Sequence, residues 1–320
     1  MSIELWVYLV LGFCLLLLAG DALVKGAVNL SLRMGIPALI VSLTIVAFGT
    51  SAPELFISIS AVMDDKSGIA LGNVVGSNTA NILLVLGLPA LAAGLATSKC
   101  RPRKTYLFMI AGTALFMVLA FRGKFDGLAG AALLLTLLCF LADAFFEAKK
   151  HRRSYAGMAT ENPEELGGVD PDMSRMKMYA FLIFGLAGLP VGSELLVGSA
   201  SIIAAQFGVS DAVIGLTLVA IGTSLPELAT TLMAAIRKQA DVALGNVIGS
   251  NMFNVLGIIG IASIVGTIPV DAKFLRLDLW VMLGASLLII PFVFRERDMS
   301  RGFGFAFTLL YVIYICLVLG

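Results

Sequence analysis

The sequence predicts an all-α, polytopic membrane protein with about ten transmembrane helices in two inverted five-helix repeats. Hydrophobic residues make up 59% of the 320-residue chain and charged residues only 13%, with a mean hydropathy of +0.99. A soluble domain carries about 25% charged residues. Apolar stretches of bilayer-crossing length recur from end to end, and two sequence motifs occur twice. The composition therefore argues against a sizeable soluble domain.

The apolar stretches define the predicted spans. They cover residues 3–31, 37–64, 68–96, 104–121, 125–147, 177–206, 211–236, 241–267, 276–294 and 302–319. The first begins at Ile3 with no Lys or Arg before it, unlike the positive start of a secretory signal, so we expect a retained helix. The one long polar connection, residues 148–176, contains Pro and Gly clusters. It divides the chain into a first repeat at 1–147 and a second at 177–320.

Positive charges orient these spans. Of the 22 Lys and Arg residues, 17 fall on one predicted side and 5 on the other, namely Lys66, Arg122, Lys124, Lys273 and Arg276. Because cytoplasmic loops carry the excess of positive charge, we expect a multi-pass protein of the plasma (inner) membrane with both termini extracytoplasmic. The 148–176 loop is then cytoplasmic. Each half has an odd number of spans, so the second half crosses the membrane upside down, which is typical of secondary transporters.

Two motifs are repeated without gaps. Residues Gly49–Leu55 read GTSAPEL and Gly222–Leu228 read GTSLPEL. Residues Gly72–Asn81 read GNVVGSNTAN and Gly245–Asn254 read GNVIGSNMFN. Each second copy follows the first by the same 173 residues, as from Glu54 to Glu227. This constant offset indicates a duplicated unit.

The first motif places an acid beside a proline inside apolar sequence. A proline within a helix removes one backbone hydrogen bond, which frees the carbonyl of Gly49 in one copy and of Gly222 in the other. Freed carbonyls in hydrocarbon need a partner or a cavity. Ionisable groups within a membrane are costly and are functional-site candidates by default. We therefore expect Glu54 and Glu227 to meet near the middle of the bilayer.

The second motif supplies neutral oxygen atoms. Its polar residues are spaced by four and share one helix face in each copy: Asn73, Ser77 and Asn81, and Asn246, Ser250 and Asn254. The single histidine, His151, lies in a basic stretch, and no cysteine is in a C-x-x-C pair, which nearly excludes a Zn or Cu site. Calcium takes six to eight oxygen ligands. Two carboxylates match one Ca²⁺ in charge, and Na⁺ ions competing for the same oxygens would give exchange.

The paired motifs resemble the alpha repeats of the sodium/calcium exchanger family within the cation/calcium antiporters, over essentially the whole chain and with the length of a prokaryotic member. The resemblance implies an antiporter that exchanges Na⁺ for Ca²⁺ by alternating access, with both ions as cargo and no cofactor. The family's ion-coordinating positions fall here on Ala47, Thr50, Ser51, Glu54, Ser77, Asn81, Ala220, Thr223, Ser224, Glu227, Ser250 and Asn254. Ala47 and Ala220 would contribute their carbonyls. Some relatives have aspartate at the position of Asn254. Because this chain has asparagine in both copies, the resemblance gives less support to a potassium co-transport that uses a third acid.

Other functions stay open at this point. A calcium/proton antiporter is the nearest rival, a potassium-dependent exchanger is another, and a passive cation channel is a third; an enzyme is the weakest, because no Ser/His or His-x-x-x-His arrangement exists.

The acids could also be structural, and the serines and asparagines could serve only helix packing. Asn73, Asn78, Asn246 and Asn251 could support the ligands without joining them. Asp21 and Glu194 share the repeat offset and could line an access path, although Asp21 could simply pair with Lys25. We expect the lipid bilayer as surroundings, no nucleic acid and no obligate protein partner.

Overall fold

The computed structural model describes residues 3–155, 170, 172–208, 220–272 and 274–319. Its helices are α1 (Ile3–Met34), α2 (Ala38–Val41), α3 (Ala47–Thr50), α4 (Ala52–Met63), α5 (Ser67–Ala80), α6 (Gly87–Ala93), α7 (Arg103–Ala120), α8 (Gly127–Tyr155), α9 (Arg175–Gln206), α10 (Ala220–Gly222), α11 (Leu225–Ile236), α12 (Ala240–Met252), α13 (Ile259–Val265), α14 (Leu279–Leu288), α15 (Ile290–Phe294) and α16 (Arg301–Leu319). Wider π-helical turns occupy Ser42–Val46, Asn81–Val85, Phe253–Ile258 and Phe274–Asp278, and a 3₁₀ turn occupies Thr97–Lys99. Two short strands, β1 (Lys124–Phe125) and β2 (Ile268–Pro269), pair antiparallel with Lys124 opposite Pro269.

The all-α, polytopic fold is confirmed. Within the described residues, eight helices are long and apolar enough to cross a membrane, and nine when the bent pair Ala38–Thr50 and Ala52–Met63 counts as one span. Helix α11 is apolar but shorter, and residues 211–219 of the predicted seventh span lie outside the described part. The number ten therefore stays a prediction.

Helix α8 is longer than the sequence predicts. It continues to Tyr155, past the predicted end at residue 147. The added residues begin Ala148-Lys149-Lys150, which favour helix and include no Gly or Pro. On α7, Lys104 pairs with Asp143 at 2.6 Å and with Glu147 at 3.1 Å, which ties this end of α8 to its neighbour. Residues 156–169 and 171 of the predicted linker lie outside the described residues, and the division into two repeats around it stays a prediction.

Helices α1 and α9 occupy equivalent places in the two copies and pack against each other in opposite directions. Gly12, near the start of α1, lies against the backbone of Leu196, and Leu23, further along, lies against Gly185. A Cβ on Gly12 would lie 2.6 Å from the Leu196 nitrogen, so only glycine allows this approach. An antiparallel relation between equivalent helices is what inverted repeats require.

The polar helices lie at the centre of the molecule. In an apolar stretch of 18 residues within Ser67–Ala93, 83% of the residues are buried, and in the corresponding stretch of Ala240–Val265, 89% are buried. In Arg301–Val318 the buried share is only 17%. Glycine permits this packing, because a Cβ on Gly249 would lie 2.6 Å from the carbonyl oxygen of Leu43. The two helices with the Gly-Asn motif are therefore shielded from lipid by the others.

Candidate cation-binding site

Each Gly-Thr-Ser-x-Pro-Glu motif breaks its helix at the serine. Helix α3 ends at Thr50 and α4 begins at Ala52, with a bend of 44° between the two parts of the span. Ser51 lies between them at φ −86°, ψ 6°, and Ser224 has nearly the same backbone at φ −89°, ψ 5°. Proline falls in the first turn of the new helix, where a missing N–H costs little. The predicted interruption is confirmed, and it lies at the serine two residues before each proline.

Both glutamates lie in the first turn of the helix that follows the break. The N-terminal end of a helix carries a partial positive charge, which favours a carboxylate there. Glu54 is 1% exposed and Glu227 is 0% exposed. Ser51 Oγ, three residues before Glu54 in the first copy, donates a hydrogen bond of 3.2 Å to Glu227 Oε1 of the second copy. The structure thus brings one acid from each copy into a common interior site.

The serines and asparagines of the second motif join the two copies. Asn254 Nδ2 donates to Ser77 Oγ at 2.9 Å, and Asn81 Nδ2 donates to Asn251 Oδ1 at 3.0 Å. Ser77, Asn81, Ser250 and Asn254 are all at most 4% exposed. Each amide nitrogen of Asn81 and Asn254 is thus used in a contact within the protein. Their carbonyl oxygens are left over for another partner.

Unpartnered oxygen atoms are concentrated in this site. Among the described residues, eight buried side-chain oxygens make no hydrogen bond, and six belong to predicted ligands: Glu54 Oε2, Asn81 Oδ1, Ser224 Oγ, Glu227 Oε2, Ser250 Oγ and Asn254 Oδ1. A buried polar group without a partner costs about 1–3 kcal/mol. A hard cation is the partner that such a set of carboxylate, amide and hydroxyl oxygens suits. The arrangement is therefore chemically ready for Ca²⁺ or Na⁺.

The remaining predicted ligands are placed less uniformly. The Ala47 carbonyl lies 3.2 Å from Thr50 Oγ1 and accepts a 3.0 Å bond from the Ser51 backbone, so a cation would compete with these donors. The Ala220 backbone begins α10, and Thr223 lies in the turn between α10 and α11. These positions repeat those of Ala47 and Thr50 at the break in the other copy. In the second copy the Ser224 backbone N–H donates to the Ile221 carbonyl at 3.0 Å, so the hydrogen bonding at the two breaks is not identical.

Two asparagines bind the backbone of the glutamates and leave their carboxyl groups free of this contact. In both copies the amide nitrogen of the motif's first asparagine donates to the backbone carbonyl of the glutamate at 3.3 Å and to a hydroxyl one turn later at 3.1 Å. The partners are Glu54 and Ser58 for Asn73, and Glu227 and Thr231 for Asn246. Asn246 Oδ1 also lies 3.3 Å from Thr50 Oγ1 of the other copy. Of the two sequence-based alternatives, support and direct ligation, these contacts favour support.

A second pair of asparagines marks the pseudo-symmetry axis. Asn78 Nδ2 donates to the Asn251 carbonyl at 3.1 Å, and Asn251 Nδ2 donates to the Asn78 carbonyl at 3.3 Å. These residues are 173 apart, so equivalent residues bond to each other. Such reciprocal bonding requires a two-fold relation between α5 and α12. It fixes the register that places Ser77 beside Asn254.

Comparisons with known proteins agree with this geometry. The sequence model of the family described as "Sodium/calcium exchanger protein" matches residues 4–146 and 177–320. The chain is 36% identical to the putative antiporter CaxA of Alkalimonas amylolytica, over 92% of this chain and 91% of that protein. It is 30% identical to the inner membrane protein YrbG of Escherichia coli (97% and 95% covered) and 30% identical to the sodium/calcium exchanger MaX1 of Methanosarcina acetivorans (96% of both).

A solved structure gives the same result at the level of the fold. The sodium-calcium exchanger NCX_Mj superposes with a TM-score of 0.81 at 32% sequence identity, over 99% of this chain and 100% of that chain. Family match, full-length relatives and a shared fold all point the same way. The chain belongs to the sodium/calcium exchanger protein family.

Proposed function

We propose that this protein is a secondary antiporter that exchanges Na⁺ for Ca²⁺ across the membrane by alternating access. The observation that carries the proposal is the set of buried oxygens without hydrogen-bond partners, drawn from both copies and centred on Glu54 and Glu227. The family is one of transporters and not of enzymes. Its members MaX1 and NCX_Mj are named as sodium/calcium exchangers.

The proposed ligands divide by charge. The carboxylates of Glu54 and Glu227 would balance the charge of one Ca²⁺ in the centre of the site. The neutral oxygens would complete the shell for Ca²⁺ or hold Na⁺ ions in its absence: the carbonyls of Ala47 and Ala220, the hydroxyls of Thr50, Ser51, Ser77, Thr223, Ser224 and Ser250, and the amides of Asn81 and Asn254. Because the two kinds of ion would share oxygens, they could not bind together in full number. Competition at one site open to one side at a time is exchange.

The chain is a multi-pass membrane protein. We place it in the plasma (inner) membrane with both termini extracytoplasmic and residues 148–176 in the cytoplasm. The distribution of Lys and Arg supports this orientation, and the name of the relative YrbG supports the inner membrane. The matched ranges 4–146 and 177–320 support a division into halves at 1–147 and 177–320. No protein partner or nucleic acid is needed for exchange, only the lipid bilayer and the two ions.

Counter-ion dependence tests the proposal. The protein is reconstituted into liposomes loaded with Na⁺, and uptake of ⁴⁵Ca²⁺ is measured after dilution into Na⁺-free buffer, with K⁺ omitted and pH clamped. We expect uptake that an outward Na⁺ gradient drives. No uptake with Na⁺ but uptake with a proton gradient would replace the proposal by calcium/proton antiport. Uptake only when K⁺ is added would show a potassium-dependent exchanger, and uptake without any counter-ion would show a channel.

A further inference from the structure

Helices α4 and α11 end in the same turn with opposite charge. Asp64 ends α4 at φ −90°, ψ 14°, and Arg237 ends α11 at φ −85°, ψ 6°. The next residues, Asp65 at φ 58° and Lys238 at φ 59°, both adopt the left-handed conformation. The duplicated backbone is therefore unchanged, whereas an acidic pair in one copy stands where the other has a basic pair. By the predicted topology, the basic turn faces the cytoplasm.

The basic turn reaches helix α1. Arg237 Nε donates to Asp21 Oδ1, and the side chains of the pair are only 23% and 18% exposed. Asp21 also pairs with Lys25 at 2.8 Å, but both residues belong to α1, so that bond does not join two helices. The equivalent of Asp21 on α9 is Glu194, an exposed residue, and the equivalent of Arg237 is Asp64. Two ionised acids cannot form an ion pair, so the sequence provides the equivalent of the Asp21–Arg237 pair in one copy only.

The packing of the two copies differs at the same place. Gly20 of α1 lies against α11, because a Cβ on it would be 3.0 Å from the Ala229 carbonyl carbon. Ala229 is consequently 6% exposed and Thr230 0% exposed. The equivalent residues on α4, Phe56 and Ile57, are 69% and 38% exposed. Helix α1 is therefore closed onto α11, while α9 makes no comparable closure onto α4 in the described part of the chain.

We propose that the Asp21–Arg237 ion pair is a one-sided latch, which holds the α1–α9 pair closed against α11 and biases the protein toward the conformation closed at its Arg237 end. The proposal rests on the alternating-access function proposed above. A site open to one end can only be loaded from that end, and the apparent dissociation constant at the other end rises as the competent fraction falls. The latch would thus set the difference in Ca²⁺ affinity between the two faces. The plain alternative is that Arg237 serves only as a topology signal.

Two-sided kinetics test the latch. The Km for Ca²⁺ is measured at each face of oriented proteoliposomes for Asp21→Asn and Arg237→Gln. We expect the Km at the Arg237 face to fall about fivefold, the effect of roughly 1 kcal/mol in a partly buried pair. Lys25→Gln, which removes a partner of Asp21 on the same helix, is the matched control and should leave both Km values unchanged. The reversed pair Asp21→Arg with Arg237→Asp should restore the wild-type ratio.

A gain-of-function variant tests the same idea at the other end. Asp64→Arg puts a cation at the position equivalent to Arg237, which Glu194 would meet if α9 closed onto α4 as α1 closes onto α11, so we expect it to lower the Km at the Arg237 face and to raise the Km at the opposite face. Km values unchanged in Asp21→Asn and Arg237→Gln, or altered equally by Lys25→Gln, would overturn the latch and leave a topology signal only.

Failure of the latch can be told apart from failure of the exchange function. Amide hydrogen exchange of residues 225–236 in lipid nanodiscs needs no transport. Asp21→Asn should speed that exchange by about fivefold, the same shift in open population, while Lys25→Gln does not. If the wild type moves no Ca²⁺ while the two variants still differ in amide hydrogen exchange in this way, the Na⁺/Ca²⁺ exchange function is refuted and the latch is retained. If the amide hydrogen exchange rates of both variants equal that of the wild type, the latch is refuted.

Discussion

Residue chemistry explains why the proposed site should favour hard cations. Each asparagine among the proposed ligands donates an amide hydrogen to the protein and keeps its carbonyl oxygen without a partner, as Asn254 does when it donates to Ser77. The two glutamates bring the only formal charges among the proposed ligands, and both are buried. Burying unpaired carboxylates is costly unless a cation accompanies them. The site is therefore expected to depend on both acids, and to change its ion preference when the number of acids changes.

Removing either carboxylate should abolish exchange. For Glu54→Gln or Glu227→Gln we expect Ca²⁺ affinity to fall by about 100-fold or more, because ligand charge sets Ca²⁺ affinity, with no loss of fold. Flux of ⁴⁵Ca²⁺ and thermal melting of the purified protein measure the two effects. Glu4→Gln, at an exposed acid near the start of α1, is the matched control. Wild-type turnover in either site variant would contradict the assignment.

Adding a third acid should strengthen divalent binding. In Asn254→Asp we expect Ca²⁺ to bind about tenfold more tightly at neutral pH. The new carboxylate must lose its proton before it binds a cation, so affinity should fall more steeply than in the wild type as the pH is lowered. Equilibrium ⁴⁵Ca²⁺ binding between pH 5 and 8 measures this. An affinity that varies with pH as in the wild type would show that residue 254 does not face the ion.

The asparagines behind the glutamates should act by positioning. Asn73→Ala or Asn246→Ala removes the donor to the glutamate carbonyl, and we expect the Km for Ca²⁺ to rise about tenfold, as for other groups that orient metal ligands. A purely structural role would lower thermal stability and leave Km unchanged. Thr136→Ala, whose hydroxyl bonds only within its own helix, is the control. A stability loss without a change in Km would sink the positioning role.

At the scale of helices, interruptions build the site. The breaks at Ser51 and Ser224 start new helices at the glutamates, and π turns begin at Asn81 and, one residue before Asn254, at Phe253. Such turns inside helices frequently occur at functional sites. Helices α1 and α9, by contrast, are unbroken, and their glycines let the two helices approach each other closely. Interrupted helices thus carry the proposed ligands, and the uninterrupted helices α1 and α9 form a tightly packed interface.

The tightly packed interface between α1 and α9 should not tolerate added volume. In Gly192→Ala a new Cβ would lie 2.9 Å from the Leu16 backbone nitrogen, and we expect a loss of about 1–3 kcal/mol in stability together with slower exchange. Gly198→Ala on the same helix is the matched control, since nothing among the described residues lies within 4 Å of its Cβ. Thermal melting in detergent and ⁴⁵Ca²⁺ flux measure both. Equal behaviour of the two variants would show that this interface is not tightly packed.

The elements show which features the sequence can predict. The prolines predict the breaks, because proline acts locally on the helix that contains it, and the constant 173-residue offset predicts which residues of the two copies are equivalent. The predicted end of α8 at residue 147 was wrong, because a basic stretch without Gly or Pro can stay helical, here as far as Tyr155. The bond from Arg237 to Asp21 spans 216 residues in sequence. No local pattern predicts such a contact, and none separated the supporting role of Asn246 from ligation.

At the scale of the whole molecule, near-symmetry and its violation carry the function. The central asparagines keep the two copies equivalent, as the reciprocal Asn78–Asn251 bonds show. The helices that flank the site are not equivalent in their surroundings, since Ala229 of α11 is buried while its equivalent on α4, Phe56, is exposed. A symmetric site between unequal ends can be offered to one side at a time. Exchange then requires only that Ca²⁺ and Na⁺ compete for it.

That competition can be measured without transport. Equilibrium binding of ⁴⁵Ca²⁺ to the purified protein is titrated with Na⁺, in the wild type and in the double variant Glu54→Gln, Glu227→Gln. We expect tight Ca²⁺ binding to the wild type that Na⁺ displaces and choline does not, and no such binding to the double variant. Tight Ca²⁺ binding that survives loss of both acids, or that Na⁺ leaves untouched, would contradict a shared site at these carboxylates.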